Sequence, residues 1–179
     1  MTKLIALNKP FGVICQFSGD SNTLSDYIDI PNIYPVGRLD KDSEGLVILT
    51  NNGKFQNLVS HPKYNKIKTY VVQVEGEIDI TALSCLQKGV NLKDVNTKPA
   101  IVKIISKPNW LWERMPPIRV RKNIPTSWIE ISISEGKNRQ IRRMTASVGF
   151  PTLRLIRTKI DKWDLKGIES GTYVSISQG

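Results

Sequence analysis

Apolar positions in this chain fall mostly into short runs rather than long helical stripes. Leu4 to Leu7 and Leu46 to Leu49 are such runs, the second bounded by Gly45 and Asn51-Asn52-Gly53, and both read as strands. Lys66 to Val74 is rich in β-branched residues, with Lys66, Lys68, Tyr70 and Val72 on one side. Ala100 to Ile105 reads as another strand. From Trp128 to Ser134, Ile129, Ile131 and Ile133 alternate with Trp128, Glu130, Ser132 and Ser134, the pattern of a half-buried antiparallel strand. Thr152 to Arg157 starts a strand, and Tyr173 to Ser177 closes the sheet. Helical spacing is rarer. Gly53 begins a helix with Phe55, Leu58 and Val59 on one face, stopped at His61-Pro62. Thr81 to Lys88 carries Leu83, Leu86 and Gln87 and stops at Gly89. A third helix is expected to be capped by Asn138, with Ile141, Met144 and Val148 as its core stripe. Val13 to Cys15 resumes the first strand, and Thr23 caps a short helix through Tyr27.

A length of 179 residues suits a single domain over 1–179, or two tightly joined lobes within it, and suffices to bury roughly 70% of the unfolded surface. With 40% apolar and 23% charged residues the chain suits a soluble globular protein, and no run approaches the ~20 apolar residues of a membrane span. The N-terminal apolar stretch is too short for a secretory signal. Cys15 and Cys85 are isolated, so neither a disulfide framework nor a metal knuckle is expected; both read as core thiols in a reducing cytoplasm. His61 is the only histidine, which argues against a histidine base or a multi-histidine metal site. It reads as a structural helix terminus.

Charge changes the picture. Of a net +10, residues 1–100 contribute 11 basic against 10 acidic side chains, and residues 101–179 contribute 15 against 6. The second half is therefore either a polyanion-binding surface or a solvated basic face. Between Lys107 and Thr126 no period is visible, yet Trp110, Trp112, Arg114, Arg119, Arg121 and Lys122 crowd together. Aromatics among cations suit stacking on unpaired bases. The alternative is a loop folded back with its tryptophans in the core.

The densest polar stretch is Pro35-Val36-Gly37-Arg38-Leu39-Asp40-Lys41-Asp42-Ser43-Glu44-Gly45, leading into the apolar run. In extended chain, Arg38 and Asp40 lie on one side about 7 Å apart, at ~3.4 Å per residue, with Leu39 on the other as an anchor. That arrangement holds a carboxylate at the mouth of a cleft. An Asp in a glycine-rich turn equally serves as a turn former, the work expected of Asp42, Ser43 and Glu44.

The order Gly-Arg-Leu-Asp-x-Asp-Ser-Glu-Gly-Leu-x-x-Leu-Thr-Asn closely resembles the signature of pseudouridine synthases of the RsuA and RluB/E/F type. Lys9-Pro10-x-Gly12, Lys68-x-Tyr70, Gly136-Lys137-Asn138-Arg139-Gln140-Ile141-Arg142-Arg143 and Leu153-Arg154-Leu155 match further motifs, so the resemblance spans nearly the whole chain. It implies an α+β fold: a mixed, mostly antiparallel central sheet with flanking helices and an active-site cleft between two lobes. It implies Asp40 as the catalytic carboxylate, Arg142 as its basic partner, and Tyr70 and Leu155 against the target uracil. Lys-Pro-x-Gly implies support of the active-site strand. The family often carries an N-terminal S4 RNA-binding module, whereas this chain begins with the catalytic part, so docking is expected to use its own surface. Arg139, Arg142 and Arg143, at i, i+3, i+4 spacing, are expected to share a helix face beside Trp110, Arg119 and Arg121.

The implied reaction breaks the uridine N1–C1′ bond, turns the base and rejoins it through C5, in 23S ribosomal RNA. It involves no redox change and no external nucleophile, so no metal, nicotinamide or nucleotide cofactor is expected, and no phosphate loop or ligand cluster appears. Arg38 is placed to fill the stack left by a flipped uridine. The expected partner is rRNA, with the chain a cytoplasmic monomer away from membranes. Two other classes remain at this stage. A non-catalytic rRNA-binding assembly factor would explain the charge but not the intact Asp, Tyr and Arg positions. A hydrolase would need Asp42 or Glu44 beside Asp40, and both look like turn residues.

Overall fold

The computed structural model describes residues 1–119 and 121–179. In chain order the elements are β1 (Leu4–Lys9), β2 (Tyr34–Val36), β3 (Glu44–Thr50), α1 (Gly53–Ser60), β4 (Lys68–Glu75), α2 (Ile80–Lys88), β5 (Ile101–Ile105), β6 (Thr126–Ile133), α3 (Gln140–Ser147), β7 (Thr152–Ile160), β8 (Trp163–Asp164) and β9 (Tyr173–Ser175). They divide into two compact units, Met1–Lys66 with Arg157–Gly179, and Ile67–Ile156. The α+β character expected from the sequence is met. Among the described residues, no helix is long and apolar enough to cross a membrane.

In the first unit β3 is central. It pairs antiparallel with β1 along one edge, Ala6 opposite Ile48, and with β2 along the other, Val36 opposite Ile48. Strand β9 pairs with the far edge of β1, closing that side as expected. All seven β3 residues are buried, so both faces are covered, and this is why Leu46 to Leu49 form an unbroken apolar run instead of an alternating one. Helix α1 starts at Asn52, whose side chain accepts from Lys54 N at 3.0 Å and Phe55 N at 3.2 Å. Its inward face holds Phe55, packed edge-on against Trp163 at 5.4 Å, and Val59. Leu58, expected on that face, is instead exposed. It lies ~100° round the helix from Val59, outside a stripe only one row wide. His61 is structural, its Nδ1 accepting from Lys63 N at 3.2 Å just beyond α1.

In the second unit the order is β5-β6-β4, continuing to the opening part of β7. Strand β6 pairs antiparallel with both neighbours, and Ile129, Ile131 and Ile133 are buried as their alternation required. Asp79 caps α2 by accepting from Ala82 N at 2.8 Å. The helix stops at Gly89, where a Cβ would lie 2.3 Å from the Thr97 carbonyl oxygen. Ala82 and Leu86 face inward, while Cys85, expected in the core, is exposed, one position off the buried stripe. Helix α3 does not begin after an Asn138 cap. Arg139 occupies the cap position with a left-handed φ of 50°, and Gln140 ties the start instead. Its Oε1 accepts from Lys137 N at 3.1 Å and its Nε2 donates to Glu135 Oε2 at 2.8 Å. Ile141, Met144 and Thr145 are buried, and Val148 only partly.

Residues 107–125 form neither helix nor strand among those described; Val120, part of the expected docking segment, lies outside the described residues. Two arginines donate to carbonyls in and beside this segment. Arg114 donates to Pro116 O at 2.8 Å, Pro117 O at 3.2 Å and Leu153 O at 3.4 Å. Arg154 donates to Trp112 O at 2.9 Å.

Candidate active site

The first unit presents Asp40 on a loop between β2 and β3. The loop opens at Gly37, with φ 68°, and closes at Gly45, with φ 109°, conformations that favour glycine. Leu39 is 5% exposed and anchors the loop from below, while Arg38 and Asp40 are exposed, the disposition that alternation predicted. Ser43 N donates to Asp40 O at 3.0 Å, and Gly12 N donates to Lys41 O at 2.8 Å, so main-chain bonds flank Asp40 closely.

Two cations lie under this loop: Lys9, from the Lys-Pro-x-Gly motif expected to support the strand, and Arg157, to which the sequence reading gave no role. Lys9 is wholly buried, and its Nζ donates to Pro10 O and Val13 O at 2.8 Å each and to Lys41 O at 3.4 Å. Burial lowers its pKa to about 8, against the opposing pull of Cys15, Glu44 and Asp42. Arg157, 3% exposed, donates Nε to Leu46 O at 2.8 Å and Nη2 to Gly37 O at 2.9 Å. The signal for Lys9 was available: a lysine ends a strand that is otherwise buried throughout. For Arg157 the sequence offers only its place in an apolar strand.

The second unit holds the remaining expected residues. Tyr70 lies on β4 opposite Ile131 of β6 and is buried. Leu155 lies on β7, the neighbour of β4, and is also buried. These two share adjacent strands. Arg142 is half-buried on α3. The expected single face of Arg139, Arg142 and Arg143 is not formed as drawn: α3 starts at Gln140, so Arg139 stands outside the helical register, exposed. Arg143 forms an ion pair with Asp94. Trp110 is 49% exposed, its ring 5.8 Å from Trp112, and the Arg154 guanidinium lies 5.7 Å from the Trp112 ring. Of the two alternatives, Trp110 follows the solvent-facing one and Trp112 is half-buried. Arg119 and Arg121 are exposed, Arg121 within 3.8 Å of Glu75.

An α+β chain with these motifs, presenting an exposed carboxylate on a braced turn, resembles a class of RNA-modifying isomerase. The family model for RNA pseudouridylate synthase matches residues 3–147, and the chain belongs to that family. Within it the similarity is specific. The ribosomal large subunit pseudouridine synthase E of Xanthomonas campestris is 48% identical over 174 residues, covering 95% of this chain and 93% of its own. The protein of the same description from Vibrio parahaemolyticus is 49% identical over 176 residues, covering 97% and 74%. The large subunit synthase B of Bacillus subtilis is 38% identical over 169 residues, covering 92% and 64%. A solved pseudouridylate synthase superposes with a TM-score of 0.81 at 29% identity, over 99% of this chain and 71% of that one. The expected α+β pseudouridine synthase fold and the enzyme class are thus both met.

Proposed function

We propose that this chain converts a uridine of 23S ribosomal RNA into pseudouridine, with Asp40 as the catalytic carboxylate. The observation that carries the reading is the Asp40 loop itself, with its carboxyl-bearing residue exposed, Leu39 buried beneath it and two buried cations holding its carbonyls. Relatives named for the large ribosomal subunit support the substrate class. The reading uses the Asp40 carboxylate, with Arg142 as its basic partner. Tyr70 and Leu155 flank the uracil and keep water from the freed base. Arg38, on the exposed side with Asp40, occupies the stack vacated by the flipped nucleotide. Rejoining through C5 releases the C5 proton while N1 gains one, so the reaction is redox-neutral and needs no nucleotide or metal.

Docking is assigned to Trp110, stacking on an unpaired base, and to Arg119, Arg121, Arg139 and Arg143 at phosphates. The reading includes a monomer working in the cytoplasm. Its test is Asp40→Asn in the full chain, assayed on an rRNA transcript carrying tritium at uridine C5. Loss of tritium release with RNA affinity retained is expected. Turnover within tenfold of the parent, about 1.4 kcal/mol of barrier, would overturn the assignment.

A further inference from the structure

We propose that Arg157 is the positioning residue of the Asp40 loop: one guanidinium ties the two ends of the loop together and thereby fixes where the Asp40 carboxylate points. The inference rests on Asp40 being the catalytic carboxylate. The loop leaves β2 at Gly37 and enters β3 at Glu44, so that Leu46 is the third residue of the receiving strand. Arg157 donates to the carbonyl of Gly37 at 2.9 Å and to that of Leu46 at 2.8 Å, one bond at each end. The donors belong to a single rigid plane, so the separation and relative direction of the two carbonyls are set together. A lysine ammonium on a flexible stem imposes no such relation.

The grip is reinforced from the main chain. A Cβ at Gly45 would stand 2.3 Å from the Arg157 carbonyl oxygen and 2.8 Å from its nitrogen, so the absence of a side chain lets the loop seat directly on Arg157. Arg157 is 3% exposed, and charge-assisted bonds sheltered from water are strong ones. Glycines at φ 68° and 109° would otherwise allow the loop ends a wide range of conformations. Sub-ångström control of a reacting carboxylate matters, since misplacement by about 1 Å costs on the order of 10²-fold in rate.

The test compares Arg157→Lys with Asp40→Asn and the parent, measuring single-turnover rate, RNA affinity and hydrogen exchange at two amides. Those amides are Ser43, bonded to Asp40 O, and Gly12, bonded to Lys41 O. Arg157→Lys is expected to bind RNA within twofold of the parent, to react at least tenfold more slowly, and to exchange both amides faster. Guanidinium ion added to Arg157→Ala is expected to restore part of the rate, which a general loss of stability would not allow. Parental rate and exchange in a folded Arg157→Lys would overturn the proposal, as would a rate loss matched by lost affinity. Should Arg157→Lys not fold, Arg157→Gln, which keeps an amide donor, is judged by the same criteria. An active Asp40→Asn sinks the catalytic reading, and loop exchange then still decides the brace. A dead Asp40→Asn beside a fully active Arg157→Lys sinks the brace alone.

Discussion

Replacing Gly45 by alanine puts one methyl group where the backbone of Arg157 already lies. The added carbon would stand 2.3 Å from Arg157 O, 2.8 Å from N and 3.0 Å from C, all main-chain atoms that no rotamer change can move. Relief requires about 1 Å of separation between β3 and β7, and overpacking of this kind costs ~1–3 kcal/mol. The φ of 109° adds backbone strain for any L-residue, of order 1–3 kcal/mol. The sum, about 2–6 kcal/mol, is a large part of the ~5–15 kcal/mol that a domain has to lose. Gly37 supplies the control. Its φ is 68° but nothing lies within 4 Å of its would-be Cβ, so Gly37→Ala carries only the left-handed strain of ~1–2 kcal/mol.

Urea unfolding followed by circular dichroism measures both variants, with equal m-values securing the comparison. Gly45→Ala is expected to fall below Gly37→Ala by at least ~1 kcal/mol, roughly 2–4 °C in Tm for a chain of this size. If the two variants are equally stable, the close seating of the loop on Arg157 is wrong.

Tyr70→Phe keeps the buried ring of β4 and removes the hydroxyl; unchanged turnover would leave Tyr70 a stacking role only, and a collapse in Tm with normal turnover would return it to the core. Trp110→Ala is expected to weaken RNA binding by about 1–3 kcal/mol with the salt slope unchanged. Replacing Arg119, Arg121 and Lys122 together should flatten the slope of log affinity against log salt by about two units, at ~0.7–0.9 per phosphate contact, and an unchanged slope would place docking elsewhere. Lys9, with its pKa lowered from 10.5 to about 8, carries a buried-charge penalty that is full below pH 8 and is relieved as pH rises toward 10.5. The stability of the parent relative to Lys9→Met should therefore rise by up to about 2–3 kcal/mol between pH 7 and 10, and a constant difference would contradict the burial argument.

The strands were legible because burial writes itself into the period: β3, covered on both faces, is an unbroken apolar run, and β6 alternates. The anchor Leu39 between two exposed polar residues followed from alternation as well. The start of α3 did not. Asn138 is a good cap by type, but the Gln140–Glu135 bond and the left-handed Arg139 decide the first turn, and both depend on contacts that local propensity does not contain. Charge was the least legible quantity. The second half owes its basic balance partly to side chains that are not available to a polyanion, since Arg154 and Arg157 are buried. A count of Lys and Arg treats both as surface.

Why the Asp40 loop stands on cations as well as on the buried Leu39 follows from the needs of its backbone. A loop that leaves a sheet brings carbonyls without ladder partners, and each one buried unpaired costs ~1–3 kcal/mol. Around this loop Lys9 donates to the Pro10 and Val13 carbonyls of the turn after β1 and to Lys41 O, which also accepts from Gly12 N, while Arg157 donates to Gly37 O and, within β3, to Leu46 O. Ammonium and guanidinium groups are donors only, so they match a surface made of carbonyls with nothing left over, whereas a glutamine amide would bring an acceptor needing a partner of its own. Their burial is costly, which is why Lys9 titrates near 8, and nearby Glu44 and Asp42 offset part of that cost. The carbonyls thus define the loop from its inner side, and Arg38 and Asp40 stand exposed on its outer side.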